Sequence, residues 1–360
     1  ITSGLSGPYK MMVIINERVI TAFINLDNGW KLISSISCSI DIRQKDELKN
    51  WGFSIGGQNF SATNFKAGYF GYVGLRDHAL VIWSDGTPYI KNGKYYLTAT
   101  CAGIGGYPTA HLGVFEFNPD TGQVQKTADI FTNRNGKILG DLPATIIRDK
   151  DTLEYSIILS TNGDCQEVQG IEIIYQSLFE DILHGIHVLE NTQSMNLRPD
   201  VNTAVYDSDI VKIGEYYYMA YSEGPWSGGR FLSIAKGKTL DSMAKIASDT
   251  TNTQFNEGSK IRKIGGKWYI LSGDNTQYRV WKLDIDTNTI SYLGALNAPS
   301  PDQRPHPNLI PVFYQGKTKF LMTTFDRAQL TGTYTHGNFY IFEAAEMENG
   351  YEFPIRVPLF

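Results

Sequence analysis

The sequence is poor in the residues that staple small domains or hold structural metals. Its three cysteines, Cys38, Cys101 and Cys165, allow at most one bridge and no clustered thiolate site. No apolar run approaches the ~20 residues of a membrane-crossing helix, so no membrane association is expected. Positive charge is scarce too: 32 Lys and Arg stand against 37 Asp and Glu, a net charge of −5. That balance lacks the basic footprint of a nucleic-acid partner, and none is expected. The six histidines never fall at a dense metal-ligand spacing. Neither a phosphate-cradling Gly-x-x-x-x-Gly-Lys-Ser/Thr loop nor a Gly-x-Ser-x-Gly nucleophile elbow occurs. The chain opens Ile1-Thr2-Ser3 without an initiator Met, consistent with removal of a leader or tag.

What the sequence does have is strand and turn chemistry. Aromatic residues make up 12% of the chain, with 21 Tyr, and Gly occurs 35 times; both favour short strands joined by tight turns over helices. Hydrophobic residues at 42% suffice for a sizeable core. Short helices are expected only around 176–183 and 239–245.

One pattern recurs five times: a polar or acidic start, a short apolar run, a turn, then an aromatic-rich strand. The units begin at Asp85, Asp141, Asp207, Glu257 and His306. Their second-strand aromatics, Tyr96, Tyr155, Tyr217, Tyr269 and Phe320, are spaced by 59, 62, 52 and 51 residues. Hairpin units repeating at this period cannot bury both faces alone, and stacking them around an axis resolves that. The expected fold is all-β: a five-bladed β-propeller with about four antiparallel strands per blade. A two-sheet sandwich also has short, regularly spaced strands, but it does not repeat one motif at this step. The propeller is expected over 76–360. Residues 1–75 carry strands and an Asn28-Gly29 turn, and either close the ring or form a small accessory sheet.

The innermost strand of a blade lines the central channel, so the five leading residues would converge on one funnel. Like charges held close in a partly dry pocket push their pKa values apart, leaving one carboxyl protonated and another ionised. Splitting a glycosidic bond needs that pair. Asp and Asn also cap hairpins, a second reading for Asp141 beside the funnel one, and Asp85-Gly86 is a turn dipeptide. Asp207 and Asp209 compete, because strand alternation sends both to one face. Glu257 has no turn propensity to explain it and precedes a strand otherwise rich in Lys and Arg.

With those residues in place the repeat resembles the five-bladed propellers of glycoside hydrolase family 43, with blades three to five also similar to the fructan-active families 32 and 68. The Asp207-Ser-Asp-Ile-Val-Lys-Ile-Gly-Glu-Tyr-Tyr-Tyr segment is similar to that family's third blade. Glu257-Gly-Ser-Lys-Ile-Arg-Lys-Ile-Gly-Gly-Lys-Trp-Tyr is similar to its acid-bearing fourth. His306 stands at the blade-five histidine. The resemblance implies a glycosidase acting on a furanoside or pentoside of arabinose, xylose or fructose type. In it Glu257 would be the general acid, Asp85 the base or nucleophile, and Asp207 the residue that orients and raises the acid. No cofactor is required on this reading, but the resemblance allows a calcium ion in the central channel near His306, held through water. A secreted or periplasmic setting would suit such an enzyme. Sugars stack their apolar faces on aromatics and pair their hydroxyls with fixed donors. Trp83, Asp141, Tyr221, Trp226, Arg230, His306 and Arg327 are therefore the expected substrate contacts. A carbohydrate-binding propeller without the chemistry is the alternative, and a protein-interaction propeller a third reading.

Overall fold

The computed structural model describes residues 74–325 apart from 103–109, 165–169, 226–227, 276, 297, 299–304 and 315–316. It also describes 8–16, 19–25, 30–37, 52, 54, 61–65, 339–343, 345–347 and 350–352. Those residues are almost entirely strand and turn.

Five antiparallel sheets form the blades. Blade one runs Leu75–Leu80, Lys94–Cys101, His111–Phe117 and Val124–Arg134 from axis to rim. Blade two runs Ala144–Arg148, Tyr155–Ser160, Ile173–Leu178 and Gln193–Ser194. Blade three comprises Thr203–Ile213, Tyr216–Pro225, Phe231–Gly237 and Ala244–Asp249. Blade four comprises Asn256–Ile264, Lys267–Asp274, Gln277–Asp284 and Thr289–Leu296. Blade five shows Asn308–Tyr314, Lys317–Phe325 and Phe339–Glu343. Each innermost strand packs on the next, and blade five returns to blade one. The fold is a five-bladed β-propeller.

Position in the blade dictates composition. Outermost Thr289–Leu296 alternates exposed and half-buried residues along its whole length, as an edge strand with one wet face must. Innermost Thr203–Ile213 is buried from Ala204 to Val211, because both faces meet neighbouring blades. Its Val205, Ile210 and Val211 join Ile261, Ile270 and Trp281 of blade four and Leu80, Leu97 and Phe117 of blade one in one continuous inter-blade core. At roughly 25 cal/mol per Å² of apolar surface removed from water, this stacking is the principal stabilising term.

Two additions staple blades one and two together. Ile82–Trp83 leaves blade one and pairs in parallel with Ile147–Arg148, and Gly185–Leu189 crosses back to pair in parallel with Ala128–Thr132. The first of these corrects the reading of blade one. Its innermost strand is Leu75–Leu80, not the segment after Asp85. The chain from Val81 makes an excursion, and Ile90–Lys91 pairs with Lys94–Tyr95 through the Asn92-Gly93 turn. That local hairpin imitates the start of a blade. The first described blade strand is therefore Leu75–Leu80, and Lys10–Asn16, Val19–Asn25 and Trp30–Ser37 form a separate three-stranded sheet that shares no pairing with a blade among the described residues. The expected helices are absent from the described residues at those positions: Ile173–Leu178 is a strand, and Leu240–Ser242 is a single 3-10 turn after Thr239.

Candidate active site

Three innermost strands carry the same irregularity at the same height. Pairing skips between Arg76 and Ala79 in blade one, between Tyr206 and Asp209 in blade three, and between Glu257 and Lys260 in blade four. The bulged residues are left-handed: Asp77 at φ 56°, Asp207 at φ 55° and Gly258 at φ 67°. A bulge breaks alternation and re-aims a side chain. Here it also decides between the two aspartates of blade three. Asp207 turns into the cluster, whereas Asp209 points down the channel, where Arg262 Nη1 donates to it at 2.6 Å and the Ile261 amide at 2.7 Å.

His306, at the entry to blade five and 2% exposed, is the hub of the site. Its Nδ1 lies 3.4 Å from Asp77 Oδ1, and its Nε2 lies 3.6 Å from Asp207 Oδ2 and 3.8 Å from Glu257 Oε2. Phe325 packs edge-on against the ring at 5.1 Å. Arg76 Nε donates to Asp77 Oδ2 at 2.6 Å, the Gly258 amide donates to Asp207 Oδ2 at 3.0 Å, and the Asp207 amide donates to Ser160 Oγ at 3.2 Å. Four blades thus fix one imidazole and three carboxylates.

Burial pushes the Asp207 carboxyl up to about 6; the negative charges of Glu257 and Asp77 push the same way, while His306 and Lys260 oppose them. A carboxyl raised in the folded state contributes stability that is present below its unfolded value of 3.8 and is lost as the pH rises through about 6. Replacing Asp207 by Asn removes that loss. Asp207→Asn is expected to raise the melting temperature at pH 8, by an amount no larger than about 3 kcal/mol of stability. The gain should vanish below pH 4, and thermal unfolding across that range checks it. An unchanged midpoint at pH 8 would contradict the electrostatic description.

Gly258 is required twice over. Its φ of 67° is one that L side chains rarely adopt, and a Cβ there would collide with Cγ and Cβ of His306. Gly258→Ala is expected to cost about 2–4 kcal/mol through backbone strain and overpacking, read as a lowered melting temperature. Retention of the wild-type midpoint would show that His306 is not held where the structure puts it.

The other expected site residues fall elsewhere or outside the described residues. Asp85 is a correction: it lies in an exposed turn, accepts from the Thr87 amide and hydroxyl, and pairs with Lys150. The adjoining Ser84 bonds Arg148 and Lys212 at the far ends of the innermost strands of blades two and three, so Asp85 sits at the opposite end of the channel from Asp207. Its carboxyl is held low against the cost of burial by Lys150 and Thr87. Trp83 shares that end, packed on Tyr89 at 5.1 Å with Arg148 over its ring. Asp141 is wholly buried and accepts from Thr132, from Arg134 twice and from the Gly163 amide; it ties the start of blade two to the outer strand Val124–Arg134 of blade one. Tyr221 is wholly buried inside blade three and offers no face to a sugar. Arg230 stays near the cluster, 5.3 Å over the ring of Tyr206, which precedes Asp207, with its Nη1 donating to the Gly228 carbonyl. Trp226 and Arg327 lie outside the described residues. The residue that sequence reasoning misses is Asp77. Its signal is the acidic residue before the apolar run Ala79-Leu-Val-Ile82, displaced from its aromatic partner by the excursion.

Asp207, Glu257 and His306 bring one ligand atom each within 4.8 Å of one another, a mixed nitrogen–oxygen set. Calcium takes six to eight oxygens, waters among them, so a calcium ion near His306 would be held largely through water. A second cluster, Cys101, His111 and Asp129 in blade one, is internally paired: Lys126 Nζ holds both Asp129 oxygens and His111 Nε2 reaches one of them at 2.8 Å. Burial pushes the Cys101 thiol up to about 12.

The architecture belongs to a known structural class. A levansucrase variant of B. megaterium superposes with a TM-score of 0.58 at 10% identity, over 79% of this chain and 86% of that one. Inulosucrase from Halalkalicoccus jeotgali, bound to kestose, gives 0.58 at 10% identity over 78% and 86%. A thermostable family-43 glycoside hydrolase gives 0.51 at 14% identity over 80% and 98%. The fold is therefore that of the five-bladed propellers on which these carbohydrate-active enzymes are built. No family model matches the chain, and no curated protein matches it in sequence.

Proposed function

We propose that the protein is a glycosidase that cleaves a furanoside or pentoside of arabinose, xylose or fructose type in the propeller funnel. The observation that carries this reading is the convergence of Asp77, Asp207 and Glu257 on His306 from separate blades. Three carboxyls this close do not all ionise near neutrality, so the set holds both a proton donor and an ionised partner.

Glu257 has the longest reach and is the most open of the three, 8% exposed against 4% for Asp77 and Asp207. It is the general acid, giving its proton to the leaving oxygen as the bond from that oxygen to the anomeric carbon breaks. Asp77 takes the role first expected of Asp85, as base or nucleophile at the opposite face of the sugar. Water supplies the incoming hydroxyl, and its second proton returns to the carboxyl set. Asp207, fixed by the Gly258 amide and facing the same imidazole nitrogen as Glu257, keeps the pair out of step in protonation. Arg230, stacked over the buried Tyr206 ring beside the blade-three bulge, is the candidate donor to sugar hydroxyls.

The test is a screen of aryl furanosides, aryl pyranosides and oligosaccharide pools for release of reducing sugar. Release from one furanoside or pentoside class is expected. No release, together with a melting temperature raised by one sugar, would replace hydrolysis by carbohydrate binding.

A further inference from the structure

A hydrogen-bonded belt passes once around the propeller axis and touches every blade. Thr98 Oγ1 of blade one donates to the Ala144 carbonyl of blade two at 2.6 Å, and Thr145 Oγ1 of blade two donates to the Ser208 carbonyl of blade three at 2.7 Å. Asp209 of blade three accepts from Arg262 Nη1 of blade four at 2.6 Å and from the Ile261 amide at 2.7 Å. Arg262 also reaches blade five, its Nε donating to the Leu309 carbonyl and its Nη2 to Asn308 Oδ1, both at 3.1 Å. Asn308 Oδ1 accepts in turn from the Leu80 amide of blade one at 3.2 Å, which closes the circuit. Thr98, Thr145, Asp209, Arg262 and Asn308 are all buried.

The strands tie this belt to the site. Asp209 follows Asp207 by two positions, Asn308 follows His306 by two, Leu80 follows Asp77 by three and Arg262 follows Glu257 by five. Ladder pairing holds the strands of one blade together but does not set the distance from one blade to the next. The apolar contacts between blades are non-directional. A buried ion pair is weak evidence for stability, since well-packed apolar residues often replace one without loss. What an apolar residue cannot supply is a planar donor set with fixed directions. In Arg262 that set spans blades three, four and five, with Nη1 also donating to the Ile261 carbonyl at 2.7 Å.

We propose that Arg262 is a positioning residue: paired with Asp209, it sets the spacing of the blade entries that carry Asp207, Glu257 and His306. The spacing itself is independent of what the funnel does, and only the consequence for rate rests on the glycosidase reading.

The experiment compares melting temperatures and crystal structures of wild type, Arg262→Met, Arg262→Lys and the double variant Arg262→Met/Asp209→Asn. Arg262→Met leaves the Asp209 charge buried without its partner, and its midpoint should fall by roughly 5–15 °C. The double variant removes both charges and keeps a side-chain acceptor for the Ile261 amide, so most of that loss should be recovered. The separations of His306 from Asp77, Asp207 and Glu257 are 3.4, 3.6 and 3.8 Å in the wild type. In the double variant they should nonetheless widen, by about 1 Å, and kcat on a substrate that wild type accepts should fall about a hundredfold with KM little changed. Arg262→Lys keeps a charge for Asp209 without the fork, so it should hold most of the midpoint and show the same widening. A residue that only stabilises the fold would give back spacing and rate together with the midpoint. Unchanged separations in the double variant, or in Arg262→Lys should the double variant not fold, overturn the proposal whether or not wild type hydrolyses a sugar. Widened separations without wild-type hydrolysis uphold it and leave the glycosidase reading to fail alone.

Discussion

Asp77→Asn is expected to slow hydrolysis by about a hundred- to ten-thousand-fold, the range for removing a positioned acid–base group, while Asp85→Asn stays within about twofold of wild type, as surface substitutions do. The contrast follows from place in the fold. Asp77 is 4% exposed at a bulge of the innermost strand, 3.4 Å from the imidazole that also faces Asp207 and Glu257. Asp85 is in a solvent-facing turn at the opposite channel end, its oxygens taken by Thr87 and Lys150. The side-chain amide introduced by Asp77→Asn is close to the carboxyl in size and keeps an acceptor for Arg76, so the loss reports charge and basicity rather than collapse. Matching melting temperatures of Asp77→Asn and wild type, or a higher one for the variant, would accompany the rate loss. A normal rate in Asp77→Asn, or a large loss in Asp85→Asn, would return the catalytic role to the turn.

Glu257→Gln is expected to show a loss that depends on the leaving group. For an oligosaccharide, whose departing alkoxide must be protonated, the rate should fall by about a thousandfold. For a dinitrophenyl glycoside, whose leaving group departs as a stable anion, the fall should be much smaller. The reason is the role: a general acid is needed only in proportion to the basicity of the oxygen it serves. A residue that merely shapes the funnel would slow both substrates alike. Steady-state rates of wild type and Glu257→Gln on the two substrates separate the cases, and an equal loss on both would remove Glu257 from the acid role.

The propeller is legible in the sequence because its signal is repetitive. Four of the five hairpins, beginning at blade two, stand where the aromatic spacing puts them, and Asp207, Glu257 and His306 come together as the leading positions of blades three, four and five. Blade one misleads because the Asn92-Gly93 hairpin is local, and its turn chemistry is written in adjacent residues. The true partner of Lys94–Cys101 is a strand fourteen or more residues upstream, with an excursion to blade two between them. Nothing in residue type marks that excursion. Alternation likewise leaves Asp207 and Asp209 equivalent, and only the bulge sends one to the site and the other to Arg262. Asp141 and Tyr221 look like sugar contacts by type, but whether a polar or aromatic side chain faces a funnel or fills a blade depends on neighbours from other parts of the chain. Arg134 and the Gly163 amide make that decision for Asp141.

The most direct measurement is a crystal structure with the sugar that raises the melting temperature most. The account places the sugar ring in the funnel, with its anomeric carbon between Asp77 and Glu257 and Asp207 alongside. Density for the sugar at the opposite channel end, beside Asp85 and Trp83, would contradict it.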